Sequence, residues 1–333
     1  MIENIKNNYA IFDGNSYHEL HLYDDYLDSS TIRIVNFGGN NKFKTLYLWQ
    51  RLFREIVSLD PDIVHITHLF PPYGFYYYLF FRNKLIVTIH DPIPHSGEAS
   101  LWTERLRRFG LKRVKAVVLL NQNEDQTSSF CSRYRIRRNK IFYSSLGPYD
   151  VLRVIPDHNN SIASSDFLFI GRISPYKGVD ILLKAMDLLH KKNSSIRLII
   201  AGAGDFWFDI NPYLSRDNII ITNRFISITE LVSLINHTKF VVCPYSEGTQ
   251  SGVIMSALAL QKPVIATDVG DFSTIISDGV NGFLVEPNSI VALAETMEKA
   301  LSSQTTIRRS ITNKTWIEIS KTYLDIYNNI LRS

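Results

Sequence analysis

Phe169-Ile-Gly171-Arg172-Ile-Ser-Pro175-Tyr-Lys177-Gly178 passes from an apolar run, through a polar turn, into a helix-period segment carrying Leu182, Met186 and Leu189. That order of elements holds Arg172 and Lys177 at the carboxyl end of a strand. Ligands of open α/β sheets bind at that end. Two fixed cations beside the positive end of a helix suit a pyrophosphate. Two solvated surface cations on an ordinary strand–turn–helix are the plainer alternative, and a second segment weighs against it. Cys243-Pro-Tyr-Ser-Glu247-Gly248-Thr249-Gln250-Ser251-Gly252-Val-Ile again leaves a strand, crosses small residues and enters an apolar helix. Gly248, Ser251 and Gly252 let backbone N–H groups approach an anion closely. Glu247 precedes that anion site, where phosphate would repel it. An ionised carboxylate only accepts hydrogen bonds, so the hydroxyl groups of a polyol are its natural partner.

The same strand–helix alternation extends through most of the chain. Nine short apolar runs read as strands: 63–66, 85–89, 116–120, 167–170, 196–201, 218–221, 240–243, 264–266 and 283–285. Helix-period segments lie between them, including one opened by a capping box of Ser227 and Glu230. This alternation predicts parallel sheets covered by helices on both faces. A chain of 333 residues suggests two domains. The polar, turn-rich stretch between about 150 and 166 places the boundary near residue 155. The last segment, roughly 308–331, is a helix with Trp316, Ile319, Tyr323 and Ile326 on one face. A formal charge of +4 is too small to imply nucleic acid. Two cysteines, Cys131 and Cys243, cannot form a disulfide framework, and no apolar stretch is long enough for a membrane span. The expectation is a soluble, cytoplasmic chain without a signal peptide.

Together with Lys262-Pro-Val-Ile-Ala-Thr267-Asp268-Val-Gly270 and Ile276-Ser-Asp278-Gly279-Val-Asn281-Gly282-Phe-Leu-Val, the two segments resemble glycosyltransferase family 4 over about 167–301. The resemblance implies the GT-B architecture: two Rossmann-like α/β domains whose parallel sheets face a central cleft, with a C-terminal helix crossing back to the first. Residues 1–155 would form the acceptor-side domain, 156–312 the nucleotide-sugar domain and 313–333 the returning helix. It implies a retaining hexosyl transfer from a nucleotide-diphosphate sugar, with no metal and no cofactor. By position, Gly171, Arg172 and Lys177 would meet the diphosphate and Glu247 the transferred sugar. The backbone of Gly248, Thr249, Gln250, Ser251 and Gly252 would complete the phosphate cradle. Many members carry a second glutamate facing the ribose. Here that position is Met255 counted forwards from Glu247, or Ser256 counted backwards from Pro263. The family's opening glycine loop is also missing: either Phe37-Gly38-Gly39-Asn40-Asn41 stands in, or the first strand–helix unit is absent.

In the first half, Asp60-Pro61-Asp62 has the spacing of an Asp-x-Asp metal motif but reads better as a loop entering a buried strand. His65, His68, His90 and His95 match no tight metal-ligand set. His90-Asp91 closes an apolar run, and by the resemblance His90 reaches the donor sugar. A helical pattern over 101–115 aligns Arg105, Arg108, Lys112 and Lys115 beside Trp102, Leu106 and Phe109. Eleven basic residues face four acidic ones between Glu98 and Lys140. Such a stripe suits an anionic membrane surface or a lipid-diphosphate acceptor, although an ordinary amphipathic helix also explains it. Tyr76-Tyr-Tyr-Leu-Phe-Phe81 reads as a buried helix, with a membrane contact as the alternative. The function expected is therefore transfer of a sugar to a saccharide acceptor, lipid-linked, in cell-surface polysaccharide synthesis, peripheral to the membrane and without nucleic acid. A sugar-nucleotide epimerase of similar fold and a catalytically inactive transferase-like subunit are the alternatives.

Overall fold

Parallel strands covered on both faces need unbroken apolar runs, and all nine runs form strands, displaced by at most two residues at either end. The structure, a computed structural model, describes residues 8–12, 32–36, 42–67, 74–92, 101–120, 122–147, 149–157, 163–303 and 315–332. In chain order the first half contains β1 (Asn8–Phe12), β2 (Ile32–Asn36), α1 (Lys42–Leu59), β3 (Val64–Ile66), α2 (Phe75–Phe80), β4 (Leu85–Ile89), α3 (Leu101–Leu111), β5 (Ala116–Leu119), α4 (Glu124–Tyr134) and β6 (Ile141–Tyr143). The second half begins with β7 (Ser165–Ile170), α5 (Val179–Lys192), β8 (Leu198–Ala201), α6 (Asn211–Leu214), β9 (Ile219–Thr222) and α7 (Ile228–Asn236). It continues with β10 (Thr238–Cys243), α8 (Gly252–Ala259), β11 (Val264–Thr267), α9 (Phe272–Ile275), β12 (Gly282–Val285), α10 (Ile290–Ser302) and α11 (Trp316–Arg332).

Among the described residues three sheets result: β1 with β2, the order β3-β4-β5-β6, and the six-stranded order β12-β11-β10-β7-β8-β9. Every pairing in the six-stranded sheet is parallel. The strands β1, β2 and β6 are absent from the sequence reading, which placed no strand before Ile63. Asn8 in β1 and Arg33 and Asn36 in β2 leave no long apolar run, and β6 follows directly on the basic stretch 135–140. The segment 37–41 and both His68 and His95 lie outside the described residues.

The chain clusters into two compact units, residues 1–88 with 102–117 and 330–333, and residues 89–101 with 118–329. In the smaller unit, Phe53 of α1 meets Tyr76, Tyr77, Phe80 and Phe81 edge-on at 4.9–5.6 Å between ring centres. Tyr77 and Tyr78 of α2 are buried, whereas Phe75, Leu79 and Phe80 remain exposed. Thus only one face of this aromatic helix is covered. The α3 helix ends at Leu111, earlier than its pattern suggested. The Arg113 guanidinium lies 3.6 Å over the Phe109 ring and donates to the Phe109 carbonyl at 3.0 Å, satisfying one of the helix's terminal acceptors. Lys115 instead enters β5, its amide donating to the Leu85 carbonyl at 2.8 Å. The basic stripe on α3 therefore comprises Arg105 and Arg108, with Lys112 just past the helix end, and excludes Lys115.

In the larger unit, Leu182, Leu183, Met186 and Leu189 of α5 and Leu293, Ala294 and Met297 of α10 are buried in the core against the six-stranded sheet. Residues 150–154 form a 3₁₀ turn fastened to α8 by Arg153 Nε, which donates to the Ala259 carbonyl at 2.6 Å. Ile319 and Ile326 of α11 are buried, but Trp316 is exposed despite lying over Gly147, where a Cβ would sit 2.6 Å from its ring. Only half of the expected capping box closes. Ser227 Oγ accepts from the Glu230 amide at 3.2 Å, while the Glu230 carboxylate turns to Arg224 at 2.7 and 2.8 Å. Ser227→Ala removes the acceptor of an otherwise orphaned N–H and should lower stability by about 1 kcal/mol, measured by urea unfolding. Ser227→Asp should retain most of it.

Candidate functional site

The order β12-β11-β10-β7-β8-β9 reverses at its centre. From β7 the chain builds outward through β8 and β9, then returns to β10 on the other flank of β7 and builds outward again. Loops leaving β7 and β10 at their carboxyl ends therefore diverge, and this reversal point is the ligand crevice of an open α/β sheet. The two segments singled out in the sequence are these two loops.

After β7, the Gly171 amide donates to the Ala201 carbonyl at 3.0 Å and the Ile173 amide to the Ala203 carbonyl at 2.9 Å. This anchors the strand end while leaving Arg172 exposed. Pro175–Lys177 makes a single 3₁₀ turn and Gly178 begins α5 with φ +68°. Any Cβ there would also collide with the Pro244 carbonyl oxygen, so only glycine fits. Lys177 is half-buried, with its ammonium 3.7 Å from the Tyr245 ring centre and 5.0 Å from that of Tyr176. The Ser246 amide donates to the Tyr176 carbonyl at 2.8 Å, joining the two loops directly.

After β10, Glu247 and Gly248 are half-buried and Thr249 and Ser251 are buried. Ser251 caps α8, its Oγ accepting from the Ile254 amide at 3.4 Å, and Gly252 opens that helix at the surface. A Cβ at Gly252 would come within 3.3 Å of the Tyr149 hydroxyl. Neither residue at the second glutamate's position reaches the surface: Met255 is 2% exposed and Ser256 4%. The Ser256 hydroxyl donates to the Gly252 carbonyl at 2.8 Å, inside its own helix. The loop after β11 supports this one. Gly270, at φ +55°, packs against the Gly248 carbonyl, and the Asp271 amide donates to the Thr249 carbonyl at 3.0 Å.

His90 lies at the end of β4 with its side chain exposed. Its carbonyl is 3.4 Å from the Thr249 hydroxyl, which donates to the Asp91 carboxylate. The next residue, Gln250, donates its amide nitrogen to the Leu120 carbonyl just past β5, and its buried side-chain oxygen has no hydrogen-bond partner among the described residues. All of these residues belong to the larger unit, so His90, Arg172, Lys177 and 247–252 share one body. Arg105, Arg108, Lys112 and Lys115 belong to the smaller unit. Sequence reasoning named Thr249 and Gln250 for their backbone but missed these side-chain fastenings, along with the Gly202–Gly204 turn. There the Gly204 amide donates to Asn223 Oδ1 at 3.2 Å and the Asn223 side-chain amide returns a bond to the Gly204 carbonyl at 2.9 Å. Two glycines one residue apart directly after the 198–201 run were the available signal.

Burial sets the charge states. It pushes the Cys243 thiol up to about 11, and it raises the Tyr245 phenol well above its usual range. Both stay neutral. His65 is bonded to the Thr88 hydroxyl at 2.8 Å and burial lowers its pKa to about 4. It is a neutral histidine of the fold. Among the described residues no group of three or more His, Cys, Asp or Glu side chains is placed to hold a metal ion. Burial raises Asp271 to about 6, with the Gln250 side chain pulling it back.

Residues 164–303 match the family described as Glycosyl transferases group 1, and residues 17–142 match Glycosyltransferase Family 4. The chain belongs to the glycosyltransferases of family 4 type and has the GT-B fold. It is 29% identical over 138 residues to the alpha-D-kanosaminyltransferase of Streptomyces kanamyceticus, covering 40% of this chain and 36% of that protein. To the capsular polysaccharide biosynthesis glycosyltransferase CapM of Staphylococcus aureus it is 26% identical over 141 residues, covering 41% and 36%. The matched stretch thus spans little more than a third of either relative's length. The crystal structure of Anabaena HepE in complex with UDP-glucose superposes with a TM-score of 0.63 at 17% identity, over 97% of this chain and 90% of that one.

The Asp271 carboxyl gives a pH prediction with a definite sign. Its folded pKa, about 6, lies above the ordinary 3.8, so the folded chain holds the proton more tightly than the unfolded chain does. Stability contributed by this group is full at low pH and is lost as pH rises from about 4 to about 6. Asp271→Asn should therefore raise the melting temperature above pH 6 and leave it unchanged at pH 4, as read by calorimetry at both values.

Proposed function

We propose that the chain is a retaining glycosyltransferase that moves a sugar from a nucleotide-diphosphate sugar to a saccharide acceptor, lipid-linked, in the assembly of a cell-surface polysaccharide. The observation that carries this reading is the meeting of the cation-bearing β7 loop and the Glu247 loop at the reversal of the six-stranded sheet. HepE, which shares the fold, was crystallised with UDP-glucose, and CapM belongs to capsular polysaccharide biosynthesis. Arg172, Lys177 and the backbone from Gly248 to Gly252 at the start of α8 would bind the diphosphate. As the sugar–phosphate bond breaks, they stabilise the charge developing on the leaving group, commonly the largest contribution in such chemistry. Glu247 and His90 would hold the sugar. Attack from the face that the diphosphate leaves needs no protein nucleophile, and neutral Cys243 is not one. Neither a metal nor a cofactor enters this scheme. A boundary near residue 155 would separate the acceptor-side domain from the donor-binding one.

A thermal-shift screen against UDP-, GDP-, TDP- and ADP-sugars tests the reading, since a ligand at 100 times its Kd adds about 2.7 kcal/mol of stability. Lys177→Ala should then weaken both nucleoside diphosphate and nucleotide-sugar, by roughly 1.5–3 kcal/mol for a lost charged hydrogen bond. Glu247→Gln should leave the diphosphate affinity nearly intact and slow turnover about 10- to 100-fold. Equal loss of diphosphate affinity in both variants would remove Glu247 from the sugar.

The acceptor side adds a location. Among the described residues no helix is long and apolar enough to cross a membrane. The start of α3 nevertheless exposes Leu101 (84%) and Trp102 (61%), with Arg105, Arg108 and Lys112 following them at the surface. This suits peripheral docking on the cytoplasmic face of an anionic bilayer, at about 1 kcal/mol per cation. Replacing the three cations with glutamine should release the protein from acidic vesicles in flotation assays, and added salt should do the same. Equal binding to neutral and acidic vesicles would refute the docking.

A further inference from the structure

We propose that Asp91 is a positioning residue whose carboxylate holds the Thr249 hydroxyl, fixing His90 against the Glu247 loop for work on the donor sugar. The proposal rests on the glycosyltransferase reading of that loop and extends it to a side chain the reading does not use. Thr249 is only 6% exposed, and its hydroxyl and carbonyl are engaged inside the fold. Its hydroxyl donates to Asp91 and its carbonyl accepts from the Asp271 amide at 3.0 Å. A hydrogen bond to an ionised carboxylate is about twice as strong as a neutral one. Threonine is also stiff at χ1, so the position of its hydroxyl follows its backbone closely.

The fastening is doubled. Gln250, the next residue, donates to the Leu120 carbonyl. Asp91 and Leu120 lie just beyond the carboxyl ends of β4 and β5, which are neighbours in their sheet. Two consecutive residues of one loop thus grip the ends of two adjacent strands. His90 sits one residue before Asp91 and Glu247 two residues before Thr249, so the hydrogen bond ties the two through short stretches of backbone. Pro92, buried directly after Asp91, limits backbone freedom on the far side. Releasing Asp91 from Thr249 frees His90 to drift. A misplacement on the order of 1 Å from a change outside the chemistry can slow a reaction about 100-fold.

The test uses the full chain and the nucleotide-sugar that gives the largest thermal shift in the screen. Release of nucleoside diphosphate from that sugar, with water as acceptor, reports turnover, and calorimetry reports binding of the diphosphate. Asp91→Ala and Thr249→Val should each lower kcat about 10- to 100-fold while diphosphate affinity stays within about two-fold, and the double variant should be no slower than either single one. Asp91→Asn keeps an acceptor oxygen and Thr249→Ser keeps the hydroxyl, so each should recover most of the loss. Thr249→Val is nearly isosteric and carries the test alone if Asp91→Ala does not fold. Three results would overturn the proposal: full turnover in Thr249→Val, additive losses in the double variant, or Asp91→Asn as slow as Asp91→Ala. The last would make the Asp91 charge itself the active feature. A wild-type chain that responds to no nucleotide overturns the reading of the site, which is a different outcome from a binding, active wild type whose Asp91 variants match it.

Discussion

The reversal of strand order between β7 and β10 is the constraint on which the rest depends. Parallel strands need crossover helices, and helices on both faces force the strands to be apolar throughout, as in β8 and β11, buried at every residue. Every loop that follows a strand then emerges on the same edge of the sheet. At the reversal alone, two neighbouring loops turn away from each other and leave backbone N–H groups uncovered. The Gly178 contact with the Pro244 carbonyl and the Ser246–Tyr176 bond hold those loops at their roots. Their tips carry Arg172 and Glu247.

Electrostatics at this edge follows from burial rather than from any large charge. A chain with a formal charge of +4 has no field strong enough to gather anions by itself. Lys177 is held over the Tyr245 ring, whose face attracts a cation without neutralising it. The neutral Cys243 and Tyr245 beneath it keep the floor of the site uncharged.

Much of this was legible in the sequence, because the informative signals are local. Runs such as 85–89 and 264–266 declare buried strands by composition, and the glycine and cation after Ile170 mark the loop that leaves the carboxyl end of β7. The failures are of two kinds. Where a strand lacks an unbroken apolar run, as in β2 with Arg33 near its start, composition does not announce it. Where an element ends for a side-chain reason, periodicity overruns: the pattern of α3 continues to Lys115, but Arg113 folds back on Phe109 and stops the helix at Leu111. The capping box at Ser227 failed halfway for a related cause, because Arg224 offers Glu230 a bidentate charged partner better than a backbone N–H.

The site was legible only as far as its backbone. Thr249 and Gln250 stand in a glycine-rich turn, where the sequence invites a reading of exposed N–H groups. Both side chains instead reach partners 158 and 130 residues away. No local pattern encodes such a bond, since its two ends meet only after both sheets have formed. A small polar residue in a ligand loop therefore has two readings that sequence cannot separate: contact with the ligand, or contact with the scaffold that aims the loop. Burial separates them here. Ser256, 4% exposed and bonded within its own helix, and Thr249, 6% exposed and bonded to Asp91, face inward, while Arg172 and Gly252 face solvent. The loop thus divides its labour residue by residue: the scaffold holds the side chains of Thr249 and Gln250, Ser251 caps α8, and Gly252 stays at the surface.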